Sequence, residues 1–82
     1  MSDYTKITSV EQLKSICTEE TQEFFIWLGI ARSSKSIAFD EDMNKFYIHN
    51  EIDDTEQFIT PNELFTKSNI GDAITGGNFW KY

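Results

Sequence analysis

Apolar residues recur at two different spacings along this chain, and the changes of spacing predict where its elements begin and end. Ser9 followed by Gln12 forms a capping-box pattern, and Val10, Leu13, Ile16 and Cys17 then return at helical intervals. A first helix is predicted over about residues 9 to 20. From Glu23 to Leu28 the chain carries Phe24, Phe25, Ile26, Trp27 and Leu28, bulky β-formers closed by Gly29, which predict a buried strand. Alternation follows. Ile37 and Phe39 share one face of a strand at 36–39, and Phe46 and Ile48 share one face of another at 45–50. The polar stretch Asp40 to Asn44 between them has hairpin length, and Phe58 with Ile59 predicts an edge strand.

Thr60-Pro61-Asn62-Glu63 is a helix start: Thr as cap, Pro at the first helical position, Glu three residues after the cap. Leu64 and Phe65 are expected to face the core. Ser68 or Asn69 opens a further short turn carrying Ile70, Ala73 and Ile74, which Gly76-Gly77 stops. The end, Asn78-Phe79-Trp80-Lys81-Tyr82, is too aromatic for a loose tail, so at least one ring is expected to pack onto the sheet. The fold class is therefore α+β in two layers: an N-terminal helix, a three- to four-stranded antiparallel sheet and one or two short C-terminal helices. A strand in such a layer buries one face only. Either Phe25 and Trp27, or Phe24, Ile26 and Leu28, must look away from the helices.

With 82 residues the chain has room for one domain, residues 1–82, and at 15% aromatic and 39% hydrophobic it is too apolar for disorder. Fourteen acidic against seven basic side chains leave a formal charge of −7, which disfavours direct contact with nucleic acid or an anionic membrane. Half of those acids fall between residues 40 and 56: Asp40, Glu41, Asp42, Glu51, Asp53, Asp54 and Glu56, with Lys45 the only base among them. A single cysteine, Cys17, excludes an internal disulfide and suits a reducing compartment. The N-terminal residues show no basic start leading into an apolar run, so a cytoplasmic location is expected.

Four patterns invite chemistry. Gly29 to Ser36 matches a phosphate-binding loop except that Ser34 stands in for the second glycine, and the chain continues as a strand where the phosphate site needs a helix. Arg32, Ser33, Ser34 and Lys35 nevertheless form the one basic cluster, where an anionic group could sit. Asp40, Asp42, Asn44 and Glu51 reproduce a calcium-loop spacing, but Lys45 takes the glycine position and both flanks alternate as strands. Asp53, Asp54 and Glu56 lack a histidine or further ligands to complete a metal shell. His49 alternates with Ile48 and is expected on the outer face, while Cys17 lies on the apolar stripe of the first helix as inert packing. No cofactor, metal site or catalytic group is expected, and the protein is read as non-enzymatic.

Arg32-Ser33-Ser34-Lys35, Asn50 to Gln57 and Asn69 to Ile74 resemble short acidic proteins of bacterial phages and mobile elements. That resemblance implies a setting in which small acidic proteins block host nucleic-acid enzymes. The residues themselves lead to an acidic interaction protein, an inhibitor or regulator, whose partner is a protein with a basic surface, for instance a nucleic-acid enzyme. In that picture Asp40, Glu41, Asp42, Glu51, Asp53, Asp54 and Glu56 imitate a row of DNA phosphates and Trp27 anchors the contact, because same-face side chains on a strand stand roughly 6.5 to 7 Å apart. The second expectation is a small ligand-binding regulatory domain that receives an anionic group at Arg32, Ser33, Ser34 and Lys35. The third is a structural subunit of a larger assembly.

Overall fold

A computed structural model describes residues 4–82. In chain order its elements are β1 (Thr5–Lys6), α1 (Val10–Cys17), β2 (Gln22–Trp27), β3 (Arg32–Asp40), β4 (Lys45–Asn50), β5 (Thr55–Ile59), α2 (Pro61–Lys67), α3 (Asn69–Gly76) and β6 (Phe79–Lys81). The strands form one sheet in the order β1-β6-β2-β3-β4-β5, antiparallel throughout. The helices cover one face of it, so the α+β class expected from the pattern is the class observed.

Among the described residues, six strands replace the expected three or four. β1 is two residues long, too short to carry a pattern, and β6 is the aromatic end, which enters the sheet between β1 and β2 instead of lying across it. β3 starts at Arg32, four residues before the apolar alternation becomes visible, because backbone pairing with β2 extends it through the polar run. The first helix stops at Cys17, earlier than expected; the Thr18 hydroxyl donates to the Lys14 carbonyl at 2.7 Å at that end.

Local chemistry accounts for the boundaries. Ser9 Oγ accepts from the Gln12 amide at 3.1 Å at the start of α1. Thr60 and Glu63 exchange bonds at 3.1 and 3.2 Å as a full capping box at the start of α2. Gly77 closes α3 with φ of 76°, the left-handed conformation that glycine adopts without steric cost. Asn44 and Asp54 take φ of 53° and 55° in the β3–β4 and β4–β5 turns, a region that short polar side chains tolerate best.

The core lies between the layers. Phe24, Ile26, Ile37, Phe39, Phe46, Ile48 and Phe79 from the sheet meet Leu13, Cys17, Leu64, Ile70, Ala73 and Ile74 from the helices. Full burial of each large apolar side chain contributes about 1.5–3 kcal/mol, so the phenylalanines dominate the stability of a chain this small. Phe65 does not join them: it is 47% exposed while Leu64 is fully buried. Consecutive helix residues point about 100° apart, so only one of that pair can meet the sheet. The ambiguity of the second strand is resolved in the same terms. Phe24 and Ile26 point to the helices, Phe25 and Trp27 point away, and Leu28 falls beyond the strand in an exposed turn. Among the described residues, no helix is long and apolar enough to cross a membrane.

Candidate interaction surface

Among the described residues, no layer covers the face of the sheet away from the helices. Register places Trp27 beside Arg32, and Phe25 between Trp80 and Ser34. Tyr4 and Tyr82 close the cluster around Phe25, with ring centroids 5.2 and 4.7 Å from it. Arg32 lies among these rings, its guanidinium carbon 4.8 Å from the centroids of Tyr4 and Phe25, 5.7 Å from Tyr82 and 5.9 Å from Trp27. Hydrogen bonds to the Tyr4 and Tyr82 hydroxyls hold it charged even more firmly than usual. Lys6 stands over Trp80 at 5.3 Å. A second, smaller aromatic pair, Tyr47 and Phe58, occupies the far corner of the same face.

One end of the sheet carries a different surface. Trp27 pairs with Arg32, and the Glu51 amide donates to the Ser34 carbonyl at 3.1 Å, so the turn at 28–31 and the turn at 51–54 project from the same end. The first exposes Leu28 and Ile30 just after the half-exposed Trp27, and the second exposes Ile52; Ile30 is 98% exposed. Glu51, Asp53 and Asp54 flank Ile52 in the second turn. Asp54 is held back over the sheet by His49, whose Nε2 lies 2.7 Å from Asp54 Oδ1, and this contact raises the histidine pKa above its ordinary value. The Asp53 carboxylate accepts from the Thr55 hydroxyl at 2.7 Å, which lowers its pKa. Glu56 accepts from the Tyr47 hydroxyl on the open face.

The seven acids expected to act as one row are therefore divided. Asp40, the last residue of β3, and Glu41 and Asp42 in the turn after it lie at the opposite end of β4 from Glu51, Asp53 and Asp54. Six strand residues separate the groups by roughly 17–20 Å. Asp40 is also engaged locally, since its Oδ1 accepts from the Asp42 and Met43 amides at 3.0 and 3.2 Å and shapes the turn. A continuous strip of carboxylates at phosphate spacing is not formed.

The basic run is divided as well. Strand alternation sends Arg32 and Ser34 to the open face and Ser33 and Lys35 to the helix side, so the four residues cannot converge on one anion. Ser34 Oγ lies 2.8 Å from the Tyr82 hydroxyl. Cys17 is buried, and burial pushes its thiol pKa up to about 12, the opposite of what a nucleophile needs. Among the described residues, no group of three or more His, Cys, Asp or Glu side chains is placed to hold a metal ion.

Trp27 stands out in the sequence as a candidate anchor, whereas Leu28, Ile30 and Ile52 do not. The signal they carry is an isolated apolar residue inside a polar turn, where no layer can bury it. The aromatic end at Phe79, Trp80 and Tyr82 is legible in the sequence as a candidate surface, but Tyr4 joins it only because β6 inserts between β1 and β2, which local pattern does not reveal. Searches against protein-family models, curated proteins and solved structures give no match for this chain.

Proposed function

We propose that this protein is a non-enzymatic interaction protein that docks onto a basic protein surface through the sheet end formed by the turns at 28–31 and 51–54. The observation that carries this is the exposure of Trp27, Leu28, Ile30 and Ile52 at one end of the sheet, the end that also carries Glu51, Asp53 and Asp54. Isolated exposed apolar residues are ordinary, but four at one end of a small domain, rimmed by charge, form the pattern of an interface. Trp27 and Ile30 supply contact area that leaves water on binding. The rim acids meet lysines or arginines of the partner, speed the encounter and weaken it as salt rises.

Inhibition or regulation of a nucleic-acid enzyme is the proposed setting, since such enzymes present basic grooves. The mode of contact differs from imitation of a phosphate row: an apolar plug with three charges on its rim takes that place. The test is a pull-down from bacterial lysate at low and high salt, followed by affinity measurements on whatever is retained. Ile30→Ser and the triple change Glu51→Lys, Asp53→Lys, Asp54→Lys should each weaken binding at least about tenfold, a loss of roughly 1.4 kcal/mol. The matching triple at Asp40, Glu41 and Asp42 should change it far less. Equal losses from the two triples would point to diffuse net charge and would overturn the proposed contact.

A further inference from the structure

On the helix side of the sheet, below the start of α3, the layers leave an open cleft of about 480 Å³ that borders the proposed docking surface at Ile52 and Asp53. Ser33, Lys35, Asn50, Asp53, Gln57 and Asn69 line it. Lys35 is the unusual member. It is only 3% exposed, and among the described residues no carboxylate lies within 4.0 Å of its ammonium group. Buried lysines are ordinarily paired with a charge, because the ammonium loses its hydration on burial. Here Lys35 donates to Asn50 Oδ1 at 2.5 Å; Asn50 Nδ2 donates to Thr55 Oγ1 at 3.1 Å, and Thr55 donates to Asp53 Oδ1 at 2.7 Å. The chain of bonds therefore begins at a buried cation and ends at an exposed anion, with neutral groups between.

The side chains of Ser33, Gln57 and Asn69 make no hydrogen bonds with the described residues, so their donors and acceptors are open to a guest. A simple anion would find Lys35 but would also meet Asp53 and the field of a protein with net charge −7. A simple cation would find Asp53 but meet Lys35. A compact molecule bearing both charges escapes both objections. We propose that this cleft binds a small zwitterion of the free α-amino acid class, with its carboxylate on Lys35, its ammonium on Asp53 and its remaining polar atoms on Ser33, Gln57 and Asn69. Burial lowers the Lys35 pKa, and an incoming carboxylate would oppose that shift by stabilising the ammonium.

The cleft is open and the contacts are few, so affinity should be on the order of 1 mM. The test is an amide chemical-shift titration of the full chain with glycine and L-glutamine, with acetate and methylammonium as single-charge controls at matched ionic strength. Saturable shifts at Ser33, Lys35, Asp53 and Asn69 are expected with the amino acids, and binding at least about tenfold weaker with either control. Lys35→Met should abolish the response. Asp53→Asn should weaken the amino acids while leaving acetate unchanged or tighter, and Gln57→Ala, at an exposed position, should weaken them without disturbing the fold. Should Lys35→Met fail to fold, the Asp53 and Gln57 variants decide the matter. Absence of saturable shifts, acetate binding as well as glycine, or indifference to the Asp53 and Gln57 changes would each overturn the proposal. No partner protein takes part in this titration, so its failure leaves the docking surface untouched.

Discussion

Gly71 packs so closely against the carbonyl of Phe65 that a Cβ at that position would stand 1.9 Å from the oxygen. The Gly71 amide donates to the Ser68 carbonyl at 3.2 Å, and this close corner turns α2 into α3. Only a hydrogen fits there. Gly71→Ala must therefore push the two helices apart, at a cost of about 1–3 kcal/mol or more, read as a lower urea midpoint. Gly76→Ala is the control, because its nearest obstacle is the movable Asn78 side chain at 3.3 Å.

Phe79 lies fully buried and stacked on Phe24, with ring centroids 5.5 Å apart and planes 15° from parallel. Phe79→Ala removes that contact and leaves a cavity where β6 crosses the core. A loss of about 3–5 kcal/mol is expected in equilibrium unfolding, a large share of the stability of a domain this size. Phe58→Ala, at a half-exposed position on the open face, should cost far less.

The His49–Asp54 contact sets a pH dependence with a definite sign. Because the folded pKa is raised above the unfolded value of about 6.5, the stabilisation is complete below that pH and fades as pH rises through the raised folded value. Titration of the His49 ring protons by NMR should give a pKa above about 6.5 in the native protein, and Asp54→Asn should bring it back toward that value. An unchanged pKa in the variant would mean that Asp54 is not its cause.

Cys17 should be silent in the native state. With the thiol pKa raised to about 12 and the side chain buried, alkylation requires opening of α1 from the sheet. Iodoacetamide labelling at about pH 8, followed by mass spectrometry, should be slow in buffer and rapid in denaturing urea. Fast labelling of the folded protein would contradict the burial.

Much of the scaffold is legible in the sequence because its signals are local. The Thr60-Pro61-Asn62-Glu63 start, the alternation of Phe46 and Ile48, the apolar spacing of Leu13 and Cys17, and the stop at Gly76-Gly77 each act within a few residues. The departures share a different origin. β1 and β6 are defined by each other, through partners such as Thr5 and Lys81, and neither carries a strand signature alone. Phe65 is apolar enough for the core, but Leu64 already holds the inward position. The candidate surface departs most, since acids that are neighbours in sequence are not neighbours in space. A strand between Asp42 and Glu51 carries them to opposite ends, and alternation within Arg32 to Lys35 sends half of an apparent cluster through to the other side.

The strand order also governs when the molecule can come into being. Among the described residues β1 pairs with β6 alone, and the Ile7 amide donates to the Phe79 carbonyl at 2.9 Å, across nearly the full length of the chain. During synthesis at about 5–20 residues per second, the first strand must therefore wait for the last, and β2 keeps an unfilled flank until Phe79 has left the ribosome. A nascent chain halted before that point is a half-built sheet with a sticky margin, a substrate for chaperones and proteases. Completion of the fold is thereby tied to completion of residues 79–81.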